Sequence, residues 1–196
     1  MSASKLSQRK TACGLSLLEL LITIVIAIIL MAVALPNFQE LIRQNRLRAQ
    51  INEFVSALYL TQSEAVKSGQ SVVICASLDA ESSDTPSCAA VHWDRGWVIF
   101  VDSDKDTVID MGERIVQRGG PMRSGTTLRG SGGVANAIAY SATAEPAIAG
   151  TLVLCDQNIN YARAVLLGVN GRIRQANRDD AGVPLKDDGA GLTCTP

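Results

Sequence analysis

Gly14-Leu15-Ser16-Leu17-Leu18-Glu19 opens an apolar run that continues to Leu35, and this segment governs how everything after it is interpreted. From Leu15 to Leu35 the run is 21 residues, or roughly 30 Å of helix, enough to cross a bilayer. A single carboxylate, Glu19, interrupts it near its start. A charge inside such a helix costs about 2.5–3.5 kcal/mol on insertion scales, so it implies a use. The preceding leader carries Lys5, Arg9 and Lys10 and no acid, as a cytoplasmic flank would. Two plainer interpretations compete. Ala32-Val33-Ala34 fits the small-residue rule for a secretory signal cut before Leu35, but the apolar run is longer than an ordinary signal core and contains Glu19. A simple membrane anchor leaves Glu19 unexplained. Arg43, Arg46 and Arg48 follow the span, so the positive-inside count does not set its orientation.

Behind the span remain about 160 residues, the size of one domain. The overall hydrophobic content of 47% is inflated by the membrane segment, and with only 4% aromatics the core should be aliphatic. Net charge is −1, but it is unevenly distributed. Residues 76–117 carry nine acids against three bases, residues 118–178 seven arginines against Glu145 and Asp156, and the tail from Asp179 is again acidic. An acidic and a basic face can therefore coexist on one domain. Cys13 lies in the leader. Cys75, Cys88, Cys155 and Cys194 remain, an even number behind an export signal, which suggests two disulfides. Three pairings are possible. Cys75–Cys88 with Cys155–Cys194 is preferred, because each pair flanks one loop-rich segment. No C-x-x-C metal spacing is present.

Ile51, Phe54, Val55, Leu58 and Ala65 recur at helical spacing, predicting that the membrane helix continues as an amphipathic helix to about Ser68, with Gly69 as its stop. Strands are then expected at 71–75, 96–102, 114–117, 126–128, 134–140, 151–155, 162–169 and 171–175. Turn signals separate them: Gly119-Gly120-Pro121, Ser131-Gly132-Gly133 and Asn170-Gly171. Asn170-Gly171 is the clearest hairpin signal, read as a two-residue turn with positive φ at both positions. The expected fold is α+β: one long N-terminal helix packed on a C-terminal antiparallel β-domain. Its expected divisions are 1–14, a leader; 15–36, the membrane helix; 37–70, its amphipathic continuation; and 71–196, the β-domain.

The leader and span resemble the class III signal of type IV pilins and pseudopilins. The resemblance implies cleavage by a prepilin peptidase between Gly14 and Leu15, methylation of Leu15 as the new N-terminus, and a filament-assembly role for Glu19, then the fifth residue. Leu15 and Ser16 stand where the family usually has phenylalanine and threonine, and Pro36 falls where pilins often carry a proline. Further along, Trp93-Asp94-Arg95-Gly96-Trp97-Val98-Ile99-Phe100-Val101-Asp102, Asp110-Met111-Gly112-Glu113, Leu152-Val153-Leu154-Cys155-Asp156, Ala162-Arg163-Ala164-Val165 and Gly171-Arg172-Ile173-Arg174 resemble the GspH/FimT family of minor pilins and pseudopilins. This implies an inner-membrane, single-pass subunit with a periplasmic domain, other pilins or pseudopilins as partners, and neither enzyme activity nor a cofactor.

Two motifs remain to be weighed for chemistry. Gly171, Arg172 and Arg174 match the glycine-arginine-x-arginine segment implicated in DNA binding by FimT-type minor pilins of naturally competent bacteria. Arginines two apart on a strand share a face, and Arg163 and Arg178 are near in sequence or in the proposed hairpin. Guanidinium groups suit phosphate, so sequence-independent, salt-sensitive binding of double-stranded DNA is expected. The alternatives are a solvated strand face, pairing with Asp179 and Asp180, and a type II secretion pseudopilin that touches no DNA. Asp102, Asp104, Asp106, Asp110 and Glu113 match the acidic positions of an EF-hand-like calcium loop, which would make the protein an exported calcium-binding module. Thr107 stands where that loop needs glycine, and a polar turn whose aspartates cap local amides is the preferred reading. His92 is the sole histidine, placed structurally beside Trp93 and Trp97, and no catalytic constellation is present.

Overall fold

The computed structural model describes residues 16–146, 148–156, 162–179, 182–186, 189–192 and 194. Helix α1, Leu17–Ser68, is 52 residues long and runs through Pro36. It ends where expected: Gly69 adopts φ +67°, a left-handed conformation that costs glycine little, and donates its N–H to the Ala65 carbonyl. The chain divides into two units, Met1–Arg43 and Gln44–Pro196. In the first, α1 is long and apolar enough to span a membrane, and its large side chains are exposed. In the second, Leu47, Ile51, Phe54, Leu58 and Ala65 form one buried stripe, three or four residues apart.

Among the described residues eight strands follow: β1 Ser71–Ala76, β2 Trp97–Asp102, β3 Ile115–Gly119, β4 Thr126–Gly130, β5 Ala137–Tyr140, β6 Gly150–Asp156, β7 Arg163–Leu167 and β8 Ile173–Gln175. Each falls within or beside a segment predicted as a strand. Val134 is the exception, closing a short 3-10 turn at Gly132–Val134 instead of opening β5. The strands make two antiparallel four-stranded sheets, A in the order β3-β2-β1-β5 and B in the order β4-β6-β7-β8.

Alternation along the strands sends one face of each sheet to the helix stripe. Val72, Ile74 and Ile99 from sheet A and Leu128, Leu152, Leu154, Val165, Leu167 and Ile173 from sheet B join that stripe in one core. Val73, Cys75, Val98 and Phe100 face the other way, into a second cluster with Ala80 and Cys88. Cys75 is bonded to Cys88 there, closing a segment of 13 residues. On the outer face of sheet B, Val153, Cys155 and Ala164 pack with Leu192, and Cys155 is bonded to Cys194 across 39 residues.

The β7–β8 hairpin corrects one expectation. Asn170 does not have positive φ; only Gly171 does, at +76°. The Gly171 N–H bonds the Gly168 carbonyl and the Gly168 N–H bonds Arg172, so Val169 and Asn170 form the turn and Gly171 is the left-handed residue after it. Packing gives the reason. A Cβ at Gly171 would overlap the Ala144 carbonyl, and the Gln62 amide on α1 donates to both Ala144 and Gly171 carbonyls.

Candidate functional site

The arginines grouped by sequence do not share one surface. Arg172 is exposed and Arg174 half-buried, and both line an open groove beside Leu166, on the side of sheet B away from α1. Arg174 is the register partner of Leu166 on the edge strand β8. Arg163 lies two and four residues from Val165 and Leu167, which both enter the helix-facing core. By strand alternation its side chain is therefore on the opposite face from Arg172 and Arg174. Burial lowers the Arg163 pKa, and Arg178 and Arg48 lower it further. Arg178 serves the chain itself, donating from Nε to the Gly182 carbonyl and from Nη2 to that of Ala162. Gly171 is accounted for by the turn. The expected five-residue cluster is thus corrected to a surface pair, Arg172 and Arg174. The register of the β7–β8 hairpin, with strand alternation, sets Arg163 apart from the pair.

The acidic loop joins β2 to β3. Oxygens of Asp102, Asp104 and Asp106 lie within 4.8 Å of one another. Asp102 is buried, and its two oxygens accept the Lys105 and Thr107 N–H groups at 2.8 and 3.2 Å. Lys105 and Thr107 both adopt positive φ to permit this. Asp106 accepts from the Val108 N–H, and Glu113 bridges the Ser103 and Asp110 N–H groups. Burial raises the Asp102 pKa, and the neighbouring Asp106 is the largest cause of a raised Asp110. Asp102, Asp106 and Glu113 are engaged with backbone amides, the polar-turn arrangement.

Glu64 and Arg114 form a pair that no sequence motif announced. The Glu64 side chain is 11% exposed, bonded to Arg114 Nη2 and 3.5 Å from Lys67 Nζ. The Arg114 hydrogen bond holds its carboxyl below the ordinary 4.5. Asp79 is also held low, first by the Ser87 N–H and then by the Ser77 hydroxyl. Carboxyls whose folded pKa is depressed stabilise the fold above their unfolded pKa, and that stability is lost as pH falls through the folded value. The melting temperature of the full chain in detergent should therefore drop as pH falls below about 4.5. Asp102 and Asp110 act in the opposite sense, since protonation relieves them. The Glu64→Gln/Asp79→Asn variant should accordingly lose less stability on acidification than wild type. Parallel curves would refute the assignment.

Glu19 lies in the first turn of α1, where a negative charge faces the positive end of the helix dipole. Gly14 and Leu15, the expected cleavage and methylation residues, lie outside the described residues. His92 is exposed beside the buried Trp93. The Trp93 indole N–H donates to the Val134 carbonyl at 3.0 Å, and its ring meets Phe54 of α1 edge-on at 5.2 Å. Asp94 accepts the Leu128 N–H, tying the segment before β2 to β4.

One long helix, apolar in its first half, with a two-sheet β-domain packed on its second half, is the type IV pilin-like fold. A family model for the type II transport protein GspH matches residues 50–171, and the chain belongs to that family of minor pilins and pseudopilins. Two crystal forms of the type IV minor pilin FimU of Pseudomonas aeruginosa PAO1 share the fold. One aligns at TM-score 0.53 and 18% identity over 68% of this chain and 90% of FimU. The other aligns at 0.50 and 16% over 66% and 92%. The minor pseudopilin EpsH of the Vibrio cholerae type 2 secretion system aligns at 0.47 and 16% over 66% and 95%. No curated protein matches the chain. The protein is a minor pilin or pseudopilin that assembles into a pilus-like structure, with the single N-terminal span and C-terminal folded domain of a single-pass inner-membrane protein facing the periplasm.

Proposed function

We propose that this chain is a GspH-type minor pseudopilin of a type II secretion filament. The observation that carries this reading is the GspH match over residues 50–171, which takes in the buried stripe of α1 from Ile51 onward and most of the β-domain. Cleavage between Gly14 and Leu15 and methylation of Leu15 would leave an N-terminal amine four residues from Glu19. Pairing that amine with Glu19 of a neighbouring subunit offsets the cost of a carboxylate in the membrane and sets the register between subunits. The test is exoprotein release by cells lacking the chain, complemented with wild type or Glu19→Ala. Wild type should restore release and Glu19→Ala should not, with the variant still present in the membrane. Full release with Glu19→Ala would sink the assembly role.

The exposed Arg172 beside Arg174 on an edge strand favours a second reading, a minor pilin that contacts DNA. Fluorescence anisotropy of labelled duplex DNA with the full chain in detergent separates the two. Binding that falls with salt and is lost in Arg172→Ala/Arg174→Ala supports DNA capture. No binding at low salt leaves the secretion reading.

A further inference from the structure

A second groove lies on the same outward face of sheet B and adjoins the Arg172/Arg174 groove at Thr151. Arg129 on β4 is the register partner of Val153 on β6. Both alternate with Leu128 and Leu154, which are buried in the helix-facing core. The C-terminal segment crosses the same face, tied there by Cys155–Cys194, and its Leu192 packs against Val153. Arg129, Lys186 and His92 line the groove, with Val153 and Leu192 as apolar walls and no acid among its described lining residues.

Arg129 is in an unusual state. Its Nε–H is fully buried, yet it meets no acceptor. Neither Arg129 nor Lys186 forms an ion pair among the described residues. A buried donor on a charged group carries a desolvation penalty, which a shift of the side chain onto an acceptor in the groove would relieve. The described lining residues supply cations and no acid, so an anion is the complementary acceptor for the guanidinium. One guanidinium fork with a lysine beside it and apolar walls suits a planar carboxylate, which it can hold bidentately. The Arg172/Arg174 groove adjoins this one at Thr151, so inorganic phosphate is the control that separates a carboxylate from a nucleic-acid backbone.

We propose that this groove binds a carboxylate presented by a neighbouring protein chain, with Arg129 as its anchor and Lys186 as the second cation. Placing the carboxylate on a neighbouring subunit rests on the filament reading above; the binding chemistry does not. The test uses the full chain in detergent micelles, labelled with 15N, and follows the arginine Nε–H resonances. Two probes separate the sources: acetyl-Asp-Asp-amide presents side-chain carboxylates, and acetyl-Ala-Ala with a free C-terminus presents a main-chain one. Acetyl-Asn-Asn-amide and inorganic phosphate are run beside them.

The expected result is saturable movement of one Nε–H signal, absent from Arg129→Gln, with at least one carboxylate probe and not with the asparagine peptide. Arg129→Gln, and Lys186→Gln at an exposed position, should each weaken that binding, by at least about tenfold for Arg129. Arg129→Lys keeps a charged, aliphatic stem and serves if the glutamine variant folds poorly; it too should bind more weakly. No saturable shift, equal binding by Arg129→Gln, or equal or tighter binding of phosphate would overturn the proposal. Filament entry is a separate readout, so loss of secretion function without loss of probe binding counts against the filament reading and not against the site.

Discussion

Trp93→Ala should destabilise the periplasmic domain by about 3–5 kcal/mol, the range for emptying a large aromatic site in a core. Trp93 is fully buried and connects three elements. Its ring packs edge-on against Phe54 of α1, and its indole N–H satisfies the carbonyl of Val134, which precedes β5. Truncation opens a cavity between the helix stripe and the sheets and leaves that carbonyl without its donor, a further penalty. Domains of this kind have total stabilities of about 5–15 kcal/mol, so the variant should be at or near the threshold for folding. Urea unfolding followed by circular dichroism reads the loss without depending on the fluorescence of Trp97. A loss below about 1 kcal/mol would mean that the site collapses around the smaller side chain, contrary to the packing described.

Removing the Cys155–Cys194 bridge should cost nearly as much. A loop of 39 residues corresponds to about 4 kcal/mol of denatured-state entropy, against about 3 for the shorter Cys75–Cys88 loop. The consequence should also be local. Cys194 holds the C-terminal segment against Val153, Ala162 and Ala164. The Cys155→Ser/Cys194→Ser variant should therefore be clipped by protease near its C-terminus while the helix and sheet A stay protected. Cys75→Ser/Cys88→Ser should instead lose protection between β1 and β2. If reduction leaves the unfolding midpoint of wild type unchanged, neither bridge stabilises the fold as described. The first variant also disturbs the Arg129 groove, because Leu192 is one of its walls. Weakened binding of a carboxylate probe should accompany its loss of stability.

Local pattern made much of the architecture legible. The apolar period on α1 from Ile51 to Ala65 and the glycine at position 69 delimit the helix, because a buried stripe needs that spacing and a left-handed cap needs a residue without Cβ. The strands were legible from alternation and punctuating turns. The hairpin turn lies at Val169-Asn170, one residue before the Asn170-Gly171 pair that local pattern favours. Its conformation is set by the close approach of Ala144 and Gln62, both remote in sequence. The acidic loop was legible as either a cation loop or a polar turn. The Lys105 and Thr107 N–H groups donate to a buried Asp102, and composition does not disclose that burial.

The sequence by itself determined the membrane-competent helix, the family that its leader and β-domain motifs resemble, and the supply of cysteines and charges. These are properties of neighbouring residues, set by periodicity, length and side-chain chemistry. Only the tertiary structure decided that β5 pairs with β1 while β4 crosses to the other sheet, and that Arg129 and Lys186 line one groove beside a strap closed by a disulfide. Those relations join residues tens of positions apart. They follow from how two sheets share one helix face, and no local pattern carries that information.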